Sequence, residues 1–183
     1  VLGPLPPSNR GNRYILVVDD YFTKWKEAYA MPNQEATTIA NTILEEWVSR
    51  FCVPSELHSD QGRNFEAKVF QEMCVRLGIH KTRTTPLHPE SDGMVERFNR
   101  TLCTSLTLMM DDNQRDWDEK LPLVMMAYRS STHDSTGYSP AYMVMGRELR
   151  LPFDIITRSA EDEPEHPLEG VERLKERLSV AHE

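Results

Sequence analysis

The sequence predicts an α/β domain built on a mixed sheet, and three observations carry that reading. A continuous apolar run, Tyr14-Ile-Leu-Val-Val18, precedes an alternating run from Trp25 to Ala30, which reads as its antiparallel neighbour. From residue 33 to about 84, stripes of helical period alternate with short strand-like runs. Beyond that point the periodic segments are helical only. Strands first, then helix and strand in alternation, then helices is the order of an α/β domain.

Residues 1–13 are rich in Pro, Gly and Asn and read as a loop entering the first strand. The unbroken apolar character of 14–18 suits a strand covered on both faces. In the second run, Trp25, Glu27 and Tyr29 share one side. Pro32-Asn33 opens a helix with Asn33 as its cap, and Ala36, Ile39, Ala40, Ile43, Leu44, Trp47, Val48 and Phe51 form its apolar stripe. After Val53-Pro54, the run Ser55-Glu-Leu-His-Ser59 is a short strand ending at Asp60. A second helix buries Phe70, Met73, Cys74 and Leu77 and stops at Gly78. Ile79 to Thr84 is the next strand. A loop over 85–93 leads to a helix burying Val95, Phe98, Leu102, Leu106 and Met109. Another helix, around 116–130, buries Trp117, Leu121, Val124, Met125 and Tyr128, with Pro122 near its start. Past about residue 158 the chain is acidic and Pro-bearing. A last helix at about 167–181 carries Leu168, Val171, Leu174 and Leu178, and there are no internal repeats.

A length of 183 residues suits one globular domain able to bury a core. No apolar stretch approaches the roughly 20 residues of a membrane span. The absence of an initial Met and of a signal peptide reads as an internal fragment of a longer protein. Cys52, Cys74 and Cys103 are scattered and lack Cys-x-x-Cys spacing. They point to a reduced intracellular compartment, with neither disulfides nor a zinc site. The formal charge of −8 weighs at first against a nucleic-acid partner. Part of it lies in Glu161-Asp-Glu-Pro-Glu165, and a metal-dependent site needs acids of its own. Tight DNA binding would call on basic segments outside this chain.

Two segments carry chemistry: His58-Ser-Asp60-Gln-Gly-Arg-Asn-Phe65, and Pro89-Glu-Ser-Asp-Gly-Met-Val-Glu96-Arg-Phe-Asn-Arg100. Asp60 ends a strand, where ligands gather in open α/β sheets, and Glu96 falls in the first turn of the expected helix. Two acids on rigid elements can hold a divalent metal for phosphoryl chemistry. Each has a plainer reading. Asp60 followed by Gln-Gly suits a turn residue, and Glu96 suits an i,i+4 pair with Arg100 or a favourable place near a helix N-terminus. Asn99, Arg100 and Cys103 share the Glu96 face, so Asn99 and Arg100 are candidate DNA contacts. Lys81, Arg83 and His88, near the loop before Glu96, are candidate phosphate contacts. Glu90 and Asp92 in that loop would oppose DNA.

The two segments resemble the acid pair of the retroviral and retrotransposon integrases. The resemblance runs through Gly3-Pro-Leu-Pro6, Asp20-Tyr-Phe-Thr-Lys-Trp25, the Asp60 segment, Thr85-Pro-Leu-His-Pro89 and Val95-Glu-Arg-Phe-Asn-Arg-Thr-Leu102. It continues in Trp117-Asp-Glu-Lys-Leu-Pro-Leu123 and Thr136-Gly-Tyr-Ser-Pro140, covering residues 1 to about 157. The pattern is similar to gypsy-type LTR retrotransposon integrases or domesticated relatives. It implies an RNase H-like fold with a mixed five-stranded sheet flanked by helices, its first strand truncated here. It also implies a catalytic core over 1–157, followed by an acidic linker and short amphipathic helix over 158–183.

The implied activity is 3′-end processing and strand transfer of element DNA into target DNA, in the nucleus. Asp60 and Glu96 would be catalytic and metal-binding, with two Mg²⁺ or Mn²⁺ ions, double-stranded DNA as partner and a homo-oligomer as the working form. The family's third acid, an aspartate on the first strand, lies just ahead of the Gly-Pro-Leu-Pro run, and the chain begins two residues before that run. The chain by itself is therefore expected to fold but to catalyse little. Asp19 and Asp20 follow a buried strand, but the family's aspartate at that place is not the catalytic one. Asp19, Glu90 and Met94 depart from the family pattern. They keep open a catalytically inactive, domesticated module that binds nucleic acid or protein. A ribonuclease H is a third class the fold alone permits, and the segments after Glu96 argue against it.

Overall fold

The computed structural model describes residues 1–83, 89–111, 113–152 and 167–182, with the backbone alone described at 89–94 and 167–172. The expected α/β class is the one observed. Strand β1 is Tyr14–Asp19 and β2 is Lys26–Met31. They form a two-stranded sheet, bracketed by the bonds Arg13 N–H to Met31 O (2.9 Å) and Asp20 N–H to Trp25 O (2.8 Å), which make it an antiparallel hairpin. Helix α1, Ala36–Thr42, runs on through a π-helical segment, Ile43–Val48, into α2, Ser49–Phe51. Strand β3 is Glu56–Ser59, α3 is Arg63–Glu66 and α4 is Lys68–Leu77. Strand β4, His80–Arg83, pairs parallel with β3. Helices α5 (Pro89–Met109), α6 (Trp117–Ser130), α7 (Pro140–Met145) and α8 (Pro167–His182) complete the chain. No helix among the described residues is long and apolar enough to cross a membrane.

The expected single sheet of five strands is not what the described residues form. They contain four strands in two separate pairs, β1–β2 and β3–β4. The truncated first strand survives as one antiparallel bridge, Leu2 to Ile15. Its shortness has a cause in the sequence: Pro4, Pro6 and Pro7 have no N–H to give a ladder.

Contacts divide the chain into two compact units, residues 1–17 with 27–124, and residues 18–26 with 125–183. In the first unit, Ile39, Ala40, Ile43 and Trp47 of the α1 stripe are buried, as are Phe70, Met73 and Cys74 of α4. Each large apolar side chain buried this way contributes roughly 2 kcal/mol. Gly78 ends α4 in the left-handed region at φ +70°, a conformation that costs glycine little. Asn33 is not the cap: the boundary residue is Glu35, and no side chain caps the helix. Asn33 Oδ1 accepts from Glu35 N–H (3.0 Å) and Thr38 Oγ1 (2.7 Å).

Phe98, Leu102 and Leu106 of α5 are buried as expected, but Val95 and Met109 are exposed. The expected loop over 85–93 is shorter than its composition suggests, because α5 already begins at Pro89. Proline suits a first helical position, whose N–H would have no partner in any case. Residues 84–88, and with them His88, lie outside the described residues.

The N-terminal loop is fastened to α6 by polar bonds. Trp117 Nε1 donates to Pro6 O (2.8 Å), and Asp118 Oδ2 accepts from Ser8 Oγ and Asn12 Nδ2, both at 2.7 Å. Ser8, Trp117 and Asp118 are buried, so these bonds satisfy groups that water cannot reach.

The second unit explains Asp19, the departure from the family pattern. Asp19 is ion-paired with Lys26 across the hairpin, and both side chains are largely buried. Burial pushes the Asp19 carboxyl up, opposed by Lys26, and pushes the Lys26 amine down, opposed by Asp19. Trp25, Lys26 and Glu27 are consecutively buried, so this stretch does not alternate as its sequence suggests. Arg129 Nε donates to Lys26 O (3.0 Å), and its guanidinium stacks 4.7 Å over the Trp25 ring. The expected boundary at 157/158 falls outside the described residues, and α8 packs on α7. Leu174 and Leu178 lie against Gly146, and His182 Nε2 is 2.8 Å from Met143 O.

Two outcomes follow from these bonds. Asp118→Ala strands a buried donor, Ser8, and a half-buried one, Asn12, and lowers stability by about 2–3 kcal/mol in urea denaturation, whereas Asp118→Asn, which keeps an acceptor, costs less. Asp19→Val leaves Lys26 without its carboxylate and costs about 3–5 kcal/mol, while Asp19→Val with Lys26→Met returns to at least the parent stability. The same denaturation series measures both.

Candidate active site

The parallel register Glu56↔His80, Leu57↔Lys81, His58↔Thr82 and Ser59↔Arg83 sets the geometry around Asp60. Side chains alternate along a strand, so Ser59, Lys81 and Arg83 share one face while Glu56, His58, His80 and Thr82 share the other. Asp60 follows the last residue of β3 and is exposed. Its Oδ1 accepts the Gly62 N–H at 2.8 Å, closing a tight side-chain-to-backbone turn. The turn role and a ligand role are compatible, because Oδ2 remains for a ligand. A Cβ at position 62 would stand 2.8 Å from Asp60 Oδ1, so a side chain there would push the carboxylate aside. Beyond the turn, Phe65 is buried edge-on to Phe70, with ring centroids 5.4 Å apart, which ties α3 to α4.

Lys81 is half-buried beside this turn. Its Nζ donates to Ser59 Oγ (2.7 Å) and Thr82 O (3.1 Å). Burial holds its amine below the usual lysine range, opposed by the charges of Glu66, Cys74 and Asp60. Arg83 pairs with Glu66 at 2.7 Å. Both cations expected to meet phosphate therefore already have internal partners. The sequence reading missed Ser59 and Glu66. Ser59 sits inside the Asp60 segment, whereas the Glu66 contact depends on strand register and has no local signal.

Glu96 is exposed on α5 but does not lie in the first turn. The helix begins at Pro89, which makes Glu96 its eighth residue and removes it from the N-terminal end of the dipole. No ion pair joins it to Arg100 among the described residues. Asn99 and Arg100 stand one turn further on. Asn99 Oδ1 is buried and has no hydrogen-bond partner among the described residues, and Arg100 is exposed. Cys103, one turn later again, has its thiol pushed up by burial, which makes it a poor thiolate.

Asp19 and Asp20 are not available as substitute ligands. Asp19 is committed to Lys26, and Asp20 Oδ2 accepts from Thr23 N–H (3.1 Å) and Thr23 Oγ1.

The chain contributes oxygen donors on two separate elements, the donor type that hard divalent cations take. No group of three or more His, Cys, Asp or Glu side chains converges among the described residues, so the set of three acids is incomplete there.

The integrase core domain family matches residues 2–89. The Gag-Pol polyprotein of walleye dermal sarcoma virus is 35% identical over 141 residues, which are 76% of this chain and 8% of that protein. The Pro-Pol polyprotein of simian foamy virus type 1 is 34% identical over 165 residues, 88% of this chain and 14% of that protein. The chain thus spans only a small part of the curated relatives it matches. Among solved structures, the catalytic core domain of BIV integrase is 29% identical with a TM-score of 0.58, over 70% of this chain and 83% of that one. The HTLV-2 integrase catalytic core domain, solved with magnesium in a trimeric form, is 18% identical with a TM-score of 0.57, over 69% of this chain and 80% of that one. The second likeness supports the RNase H-like fold alone. Joined to the Asp60 and Glu96 segments, these matches support a retroviral-type integrase core.

Proposed function

We propose that this chain is part of an enzyme that integrates DNA, carrying out 3′-end processing and strand transfer of element DNA into a target. Asp60 and Glu96 supply two of the carboxylates that hold a pair of Mg²⁺ or Mn²⁺ ions. Such ions, when bound, activate the attacking oxygen and stabilise the leaving one. The chain's own contribution is position and charge. The β3 turn presents Asp60, α5 presents Glu96, and the exposed Arg100 lies one turn along the same helix face with Asn99, whose Oδ1 has no partner among the described residues. Arg83 joins this DNA-facing set by exchanging Glu66 for a phosphate. Lys81 is left out of it, because two of its three N–H groups already donate to Ser59 Oγ and Thr82 O.

The observation that carries the reading is the turn after β3, in which Asp60 Oδ1 accepts the Gly62 N–H at 2.8 Å while Oδ2 remains for a ligand. Double-stranded element ends and target DNA are the partners, the nucleus is the place of action and a homo-oligomer is the working form. A chain of net charge −8 would draw part of its DNA affinity from other copies or other domains.

The test is Mg²⁺-dependent strand transfer by the chain extended upstream of Val1. Asp60→Asn and Glu96→Gln are each expected to lower the rate by roughly a hundredfold or more. Joining that survives both substitutions would sink the assignment. DNA binding without joining, with no acid ahead of Val1, would instead favour the domesticated binding module.

A further inference from the structure

We propose that Lys81 is a positioning residue for Asp60, acting through Ser59, and not a contact to DNA. The inference rests on the assignment of Asp60 as a metal-holding carboxylate. In the parallel pair, Lys81 sits opposite Leu57 and diagonal to Ser59 on one face. Its Nζ donates to Ser59 Oγ at 2.7 Å and to Thr82 O at 3.1 Å, and Ser59 Oγ donates to Asp60 O at 2.8 Å.

An ammonium has only protons to give, so Ser59 Oγ must accept from it. The serine's single proton is then directed to the Asp60 carbonyl. That carbonyl belongs to the peptide between Asp60 and Gln61, and the Gly62 N–H lies in the next peptide, hinged to it at the Gln61 Cα. The Gly62 N–H in turn holds Asp60 Oδ1 at 2.8 Å. The chain of bonds runs from the ammonium through the serine hydroxyl and the peptide plane to the carboxylate.

Removing the first link frees the serine rotor, and the Asp60–Gln61 peptide loses its restraint. The charge suits the place as well. Lys81 lies within electrostatic reach of the carboxylates of Glu66 and Asp60. Two of the three ammonium protons are committed to these acceptors, so a phosphate that drew the ammonium away from them would loosen the turn that presents Asp60.

The test uses ¹⁵N-labelled chain without metal or DNA and follows the exchange of the Gly62 amide. Lys81→Met and Ser59→Ala are each expected to speed that exchange about tenfold, the scale on which one lost hydrogen bond shows. The double variant should be no faster than either single one, because both cut the same relay. The amides of Ile15 and Leu102 should keep their protection. Unchanged Gly62 exchange in either variant, or additive effects in the double, would overturn the proposal. If Lys81→Met also releases Leu102, Ser59→Ala alone decides, since it removes one oxygen and leaves the packing in place. The readout is independent of joining. A relay that responds as expected, in a protein whose strand transfer ignores Asp60→Asn, would keep the positioning role and remove the metal role.

Discussion

The parallel pairing of β3 with β4 is the constraint on which the candidate site depends. Four residues on each side fix a register that places Ser59 near Lys81, and thereby sets the turn in which Asp60 sits. A slip of β3 by one residue would exchange the faces of that strand. Glu56 and His58 would then share the side held by Lys81 and Arg83, and Ser59 would leave it. The helices around the pair make such a slip costly. Phe70, Met73 and Cys74 bury the inner face of α4, and Phe65 ties the Asp60 turn to that face through α3. Hydrophobic packing therefore holds the backbone, and a small set of polar bonds aims the carboxylate. The packing supplies most of the stability, and the polar bonds supply the orientation.

Much of this was legible in the sequence, and the failures have physical causes. The stripes in 36–51 and 68–77 have strong helical periods, and Gly78 is a stop with a mechanism, so these elements appear where expected. The start of α5 was misjudged because Pro, Ser, Asp and Gly in 89–93 have the composition of a loop. A proline placed at a first helical position reverses that meaning. Helix α7 went unpredicted although its signals were present. Ser139 accepts the Tyr142 N–H at 3.0 Å, Pro140 follows it and Gly146 closes the helix, but six residues are too few for a period to show. The expectation of one five-stranded sheet came from the resemblance, and prolines 4, 6 and 7 limit what the first segment can pair.

The candidate site divides the same way. Asp60 and Glu96 could be singled out because both lie in long matching segments. Their surroundings could not be, because they arise across strands. The Asp19–Lys26 pair looks like an anomaly in one dimension and becomes a buried ion pair once the hairpin closes. Lys81 and Arg83 look like surface cations in the sequence, and the strand register gives each an internal partner. Single-sequence reasoning sees residue types and periods, whereas partner choice for a charged side chain is a three-dimensional fact.

The central claim is that Asp60 and Glu96, with 35 residues between them (96 − 60 − 1), bind the same divalent ions. The most direct measurement is a Mn²⁺ titration of the upstream-extended, ¹⁵N-labelled chain, following paramagnetic broadening of its amides. The account predicts that Gly62 and the amides flanking Glu96 broaden together, with a single midpoint. Broadening confined to the surroundings of one carboxylate, or two well-separated midpoints, would contradict it.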